Sequence, residues 1–289
     1  MKKIQMMALA VAAILPSCTK DNEPEQMPDA GSIEIVISTD TMPTHATITF
    51  GCSTTTMQSM TRATLSSLNL TDLWVFDGET LLKHQTTDDA DFGSPTITAD
   101  YGEHHFHFVA SRGSEPTLTG TTITWEKPSD TFWQNLTLDI VPQTSTAQTV
   151  SLQRVAARLR ITITDEIPST LSSLVVTPSH WYCGINYTTG ESVDDRQTAR
   201  IISVPSSYAG TTGQLAASFF SISPSEAWTT DITLKAQASD NSTLSQISIA
   251  DVPMQRNHVT SYSGSLFSAG RSIGVSANDE WGDELTGSW

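Results

Sequence analysis

Two histidines spaced two residues apart, His105 and His107, lie in the stretch Tyr101-Gly102-Glu103-His104-His105-Phe106-His107-Phe108-Val109. On a strand alternate side chains share a face, so both imidazoles project together, a pairing that can hold zinc, while Phe106 and Phe108 project into a core. No third ligand follows at a readable spacing, so an ordinary wet strand face is the competing reading and no metal site is assigned. Asp88, Asp89 and Asp91 are spaced loosely like a calcium loop. The central Gly and the closing Glu are missing, and the stretch reads as a solvated loop. The chain has no Gly-rich phosphate loop, no GxSxG elbow, no HExxH and no paired CxxC. Its His and Ser residues form no recognisable nucleophile signature, so the expectation is a non-enzymatic protein without a cofactor.

The elements that would position these residues are strands. Thr149 to Thr164, TVSLQRVAARLRITIT, is the organising stretch, because its apolar positions change parity. Val150 and Leu152 lie on even positions; Val155, Ala157, Leu159, Ile161 and Ile163 lie on odd ones. Both halves alternate with period two and read as half-buried strands. Keeping both apolar-in requires a bulge or crossover near Gln153 and Arg154, where the chain passes from one sheet or domain to the next. Arg158 and Arg160, with Arg154 at the switch, form either a solvated face with carboxylate partners or a basic patch. Elsewhere Ile33–Ile37 and Ala46–Phe50 read as a first hairpin, and Ser53–Ser67 as a polar stretch containing Arg62. Leu68–Leu82 reads as strand, Asp77-Gly78 turn and strand, with Trp74 and Phe76 on one face anchoring the first core. Past the switch, short apolar runs recur at sandwich spacing. The fold class is therefore all-β, with a first domain over 32–148 and a second over 149–289.

The 289 residues carry 15 Lys and Arg against 31 Asp and Glu, a net charge of −16, which makes nucleic acid a poor partner. Lys2 and Lys3, then an apolar run from Ile4 to Leu15, then Leu15-Pro16-Ser17-Cys18, have the form of an export signal too short to span a bilayer. The leader resembles a bacterial lipoprotein signal, which implies a removed peptide over 1–17 and a diacylglyceryl group on Cys18. Residues 18–31 are rich in Pro, Glu, Asp and Asn and read as a disordered tether. Cys52 and Cys183 fall in different proposed domains and are expected as unpaired buried thiols. The acidic tail from Asn278 to Trp289 is either a frayed terminus or a docking segment.

Four short motifs in order carry a family likeness: Leu73-Trp74-Val75-Phe76-Asp77-Gly78; Phe108-Val109-Ala110; Arg154-Val155-Ala156-Ala157-Arg158-Leu159; and Arg256-Asn257-His258 before Thr260 and Gly264. Together with the leader, the set resembles the fimbrillin-like family, surface lipoproteins that form the fimbriae of Gram-negative anaerobes. The resemblance implies two tandem β-sandwich domains of transthyretin or immunoglobulin type and an outer-membrane, surface-exposed location through a lipid anchor. It also implies partnership with other fimbrial subunits by strand exchange, and adhesion to a host or bacterial surface ligand. In stalk subunits a protease cuts after an N-terminal Arg and an early strand leaves; Arg62 in Met60-Thr61-Arg62-Ala63 is the position that could match. No long apolar donor strand follows Ile273–Ala277, which points to a terminal subunit, anchor or tip. The alternative is a surface lipoprotein of a nutrient-uptake system, binding glycans through exposed Trp181 or Trp228.

Overall fold

The computed structural model describes residues 45–56, 59–142, 147–213, 215–268 and 273–275. Ile33–Ile37, Cys18 and the acidic tail lie outside them. Among the described residues, twenty strands follow in order. The first ten are β1 (His45–Thr56), β2 (Ser59–Thr64), β3 (Asp72–Asp77), β4 (Thr80–Thr86), β5 (Thr96–Asp100), β6 (Gly102–Ser111), β7 (Thr117–Thr119), β8 (Thr122–Thr124), β9 (Thr131–Ile140) and β10 (Ala147–Arg154). The rest are β11 (Ala156–Ile163), β12 (Leu171–Pro178), β13 (Tyr182–Asn186), β14 (Ser192–Asp195), β15 (Arg200–Ser203), β16 (Leu215–Ile222), β17 (Trp228–Ala238), β18 (Thr243–Met254), β19 (Val259–Gly264) and β20 (Ile273–Val275). The protein is all-β, as the alternating patterns require.

The first sheet runs β2-β1-β10-β9-β6-β3-β4, with β5 also paired to β1. Strands β10 and β9 pair only at Gln153↔Trp133 and Arg154↔Phe132. The sheet turns a corner there and folds into two layers. Between them lies a core of Ile48, Phe50, Leu73, Val75, Phe106, Phe108, Val150 and Leu152, all nearly inaccessible. Two further sheets, β16-β11-β19-β20 and β15-β12-β17-β18, enclose a second core that includes Leu159, Ile161, Ile163, Leu174, Val176, Leu234 and Ile249. Each pair of layers is a β-sandwich.

The parity switch has a direct structural counterpart. Strand β10 ends at Arg154, β11 begins at Ala156, and the two belong to different sheets. Val150 and Leu152 face the first core, whereas Leu159, Ile161 and Ile163 face the second. Arg154 spans the step. Its Nε and Nη2 donate to Asp130 Oδ1 and Oδ2 at 2.7 and 3.1 Å, its Nη1 donates to Asn257 Oδ1 at 3.0 Å, and its guanidinium lies over the Phe132 ring. Asn257 adopts the left-handed region, φ 57°, and its N–H donates to the Ala156 carbonyl. The Arg-Asn-His motif therefore ties the connection between β18 and β19 to the switch.

A fourth sheet, β14-β13-β8-β7, takes strands from both sides of the switch. It covers the outer face of β3 and β6 and encloses a third core of Trp74, Phe76, Val109, Trp125, Ile185 and Tyr187. This corrects one expectation. Trp74 and Phe76 do share a face, but that face meets this third core; Leu73 and Val75 fill the first. Phe76 stacks on Tyr187 with ring centroids 3.7 Å apart. Strand β3 is buried on both faces, and alternation within it could not say which face met which core.

Candidate functional site at the first strand

The residues around Arg62 differ from the sequence expectation. Strand β1 extends to Thr56, and Arg62 stands within β2, an edge strand paired antiparallel to β1 at Ser53↔Thr64 and Thr54↔Ala63. A bond broken after Arg62 would separate β1 and most of β2 from everything that follows.

Strand β1 is held along both edges. On one side it pairs parallel to β10 from Thr49↔Ala147 to Thr54↔Leu152, a pairing between segments about a hundred residues apart. On the other it pairs antiparallel to β5 over His45–Thr49. Between β5 and β2 the loop after β4 closes the edge: the N–H groups of Phe50 and Cys52 donate to Pro95 and Gly93 carbonyls at 2.9 and 2.8 Å. That loop is fixed by Gln85, fully buried, whose Nε2 donates to the Asp91 carbonyl while its Oε1 accepts from the Gly93 N–H. Asp89 accepts from the Thr86 N–H at 2.7 Å. The acidic loop thus braces a clamp over β1.

The even residues of β1 point inward. Ile48 and Phe50 are fully buried, and the Phe50 ring packs edge-on against Phe106 and Phe108 at 5.1 and 5.2 Å. Cys52 is 8% exposed, and burial pushes its thiol up to about 12. Thr54 is fully buried with its Oγ1 unpartnered among the described residues. A buried hydroxyl without a partner costs about 1–3 kcal/mol. Gly51, on the exposed face of the strand, weakens it through the extra backbone freedom it gives up on folding. Parallel pairing is also slightly weaker per residue than antiparallel. Strand β1 is therefore well buried but imperfectly matched to its place.

The His stretch follows the strand-face rule, but its two members meet different surroundings. His105 is exposed, with Nδ1 3.1 Å from Thr137 Oγ1. His107 is 8% exposed with its Nδ1 unpartnered among the described residues; burial, and then the charge of His105, hold it below the ordinary imidazole range. Among the described residues no group of three or more His, Cys, Asp or Glu is placed to hold a metal ion. His104, not singled out by the sequence, is the better-organised group. Its Nδ1 faces Asp77 Oδ2 at 2.6 Å and its Nε2 faces the Asp100 carbonyl at 2.9 Å. Burial opposes its charge, yet these two acceptors, satisfied together only by the doubly protonated ring, raise its pKa.

Other candidates resolve into packing. Cys52 and Cys183 are both buried free thiols. Trp181 is 1% exposed and its Nε1 donates to the Phe220 carbonyl at 2.8 Å; Trp228 Nε1 donates to Ser223 Oγ. Trp181 stands in the second core and offers no face to a sugar, whereas Trp228 is half-buried against that core. No sequence signal marked the clamp of Gln85, Gly93 and Pro95, because its partner strand is distant in the chain.

Two solved structures share this arrangement of layers, both described as candidate adhesins from Bacteroides ovatus. One superposes with a TM-score of 0.50 at 11% identity, covering 82% of this chain and 96% of that one. The other gives 0.50 at 10% identity, covering 71% and 82%. The fimbrial anchor protein Mfa2 from Porphyromonas gingivalis superposes with a TM-score of 0.45 at 6% identity, covering 81% and 98%. The class is thus an all-β double sandwich of the fold found in these adhesins. The chain belongs to DUF6562, a family of unknown function, whose profile matches residues 112–288. That span begins where β6 ends, so β1 and Arg62 stand ahead of it. No curated protein matches the chain.

Proposed function

We propose that this protein is a cell-surface fimbrial subunit, anchor or tip, with a structural and adhesive role and no catalytic one. In this reading it is exported as a lipoprotein, loses residues 1–17, and is held on the outer membrane through lipidated Cys18. Residues 32–148 form the assembly domain and 149–289 the second. The fold shared with candidate adhesins and the ordered set of family motifs support it.

The observation that carries the reading is the imperfect fit of β1. An incoming strand with an apolar residue in place of Thr54 would remove an unsatisfied hydroxyl. Departure of β1 would open the positions of Ile48 and Phe50, each worth about 1.5–3 kcal/mol of apolar burial to a replacement strand. This is β-augmentation, with backbone groups giving affinity and alternate side chains giving register.

N-terminal sequencing and intact mass of the surface-extracted protein test both parts. A start at acylated Cys18 supports an anchor or an uncut precursor; a start at Ala63 supports release of β1. A start elsewhere, or an unmodified thiol at Cys18 in cytosolic protein, refutes the reading.

A further inference from the structure

The basic residues of this acidic chain are not evenly spread. A cleft of about 510 Å³ opens where the second sandwich meets the loop after β8. Its walls are Glu126–Pro128, the segment from Arg196 to Ile202 that includes β15, and Ser218–Phe220 on β16. Lys127, Arg196 and Arg200 line it directly, while Arg112 and Arg158 place their guanidinium carbons 5.4 and 5.5 Å from the centre of the Phe220 ring. These five named side chains are a third of the 15 Lys and Arg in a chain of net charge −16.

Several are already oriented. Arg196 bonds Glu126 Oε2 at 3.2 Å and Asp194 Oδ2 at 2.5 Å. Arg200 lies over the Trp181 ring and donates from Nη2 to Cys183 Sγ at 3.2 Å. Arg158 Nη2 donates to Ser218 Oγ at 2.9 Å. The three lining cations less the Glu126 carboxylate leave a lining charge of +2, which Asp194 on Arg196 lowers to about +1. Lys127 has no ion-pair partner among the described residues. Ile201, 70% exposed, is the main apolar surface of the lining; Pro128 and Phe219 also line it but are buried, Phe219 within the second core.

We infer that this cleft binds an acidic saccharide, one or two hexuronate-like rings, with the carboxylate on Lys127 and Arg200. Ring C–H faces would lie against Ile201 and Pro128, and ring hydroxyls would reach the hydroxyls of Thr198 and Ser218. The volume is that of a small-ligand site. A peptide strand fits less well, because the β16 edge is closed beyond Phe219. The Phe220 carbonyl accepts from Trp181 Nε1, and Ser221 Oγ accepts from the Tyr182 N–H. Strand β15 offers only four residues of edge. No part of the cleft comes from β1, so the assignment stands whether or not β1 exchanges.

The test is isothermal titration of the whole chain with α-1,4-digalacturonate, beside its dimethyl ester and an acidic hexapeptide, with Lys127→Gln and Ile201→Asp as surface variants. The acid is expected to bind at least about tenfold more tightly than the neutral ester and to weaken as salt is raised. Each variant should weaken it at least about fivefold with an unchanged melting temperature. No saturable binding, equal binding of acid and ester, or wild-type affinity in both variants would overturn the inference. Tighter binding of the hexapeptide than of the saccharide would also overturn it, assigning the cleft to a protein segment. Because every arm uses the uncut chain, failure here leaves the N-terminal sequencing result untouched.

Discussion

Replacing Thr54 by Val tests the imperfect fit of β1 at one atom. The hydroxyl is fully buried and without a partner among the described residues, and a methyl of similar shape takes its place. Removing the orphaned hydroxyl should recover about 1–3 kcal/mol, to which burial of one more methyl adds up to about 0.8 kcal/mol. With a urea slope of about 2 kcal/mol/M, the unfolding midpoint should rise by about 0.5–1.9 M with the slope unchanged. If β1 leaves during assembly, the same substitution should slow exchange of a labelled β1 peptide into protein cut after Arg62, by preferring the resident strand. The comparison is Thr47→Val on the exposed face of β1, expected within about 0.5 kcal/mol of wild type. An unchanged or lowered midpoint for Thr54→Val would mean that the hydroxyl is satisfied in the folded protein, and the argument from mismatch would fail.

Phe50→Ala removes a fully buried ring packed on Phe106 and Phe108, and should cost about 3–5 kcal/mol in urea unfolding; a loss below about 1 kcal/mol would place β1 off this core. Asp130→Ala strands the Arg154 guanidinium, both side chains being 8% exposed or less, and should cost about 3–5 kcal/mol by the same measurement. Cys52, buried with its thiol raised to about 12, should react with an aromatic disulfide reagent only as fast as the protein opens. The two histidine shifts have opposite signs. The elevated value of His104 contributes stability present in full below about pH 6.5 and lost as pH rises through that value, so His104→Gln should flatten the alkaline-going decline. The depressed value of His107 contributes stability that is lost as pH falls below about 6.5, so His107→Gln should lessen the acid-going decline; thermal melts across pH 5–8 read both.

Much of this architecture was written in local alternation. The parity change between Leu152 and Val155 located the step from one sheet to another, because a strand that keeps its apolar side inward must break where the pattern slips. The Asp77-Gly78 turn was legible for a similarly local reason, since Gly78 supplies the positive φ of 53° that the tight connection needs. Ser53–Ser67 shows in the sequence only as a polar stretch because it carries no alternation, and only pairing with β1 makes the segment around Arg62 a strand.

Sequence by itself determined the fold class, the order of most strands, and the absence of any readable catalytic signature. Tertiary structure alone decided which core each apolar face would meet. It sent Trp74 and Phe76 to the third core, set β1 beside β10, and gathered Arg112, Lys127, Arg158, Arg196 and Arg200 around one cleft. The physical reason is range. Period-two patterning is dictated by neighbouring residues, whereas the partner of a strand edge or of a charged side chain is chosen when segments a hundred residues apart are brought together by burial of shared apolar surface.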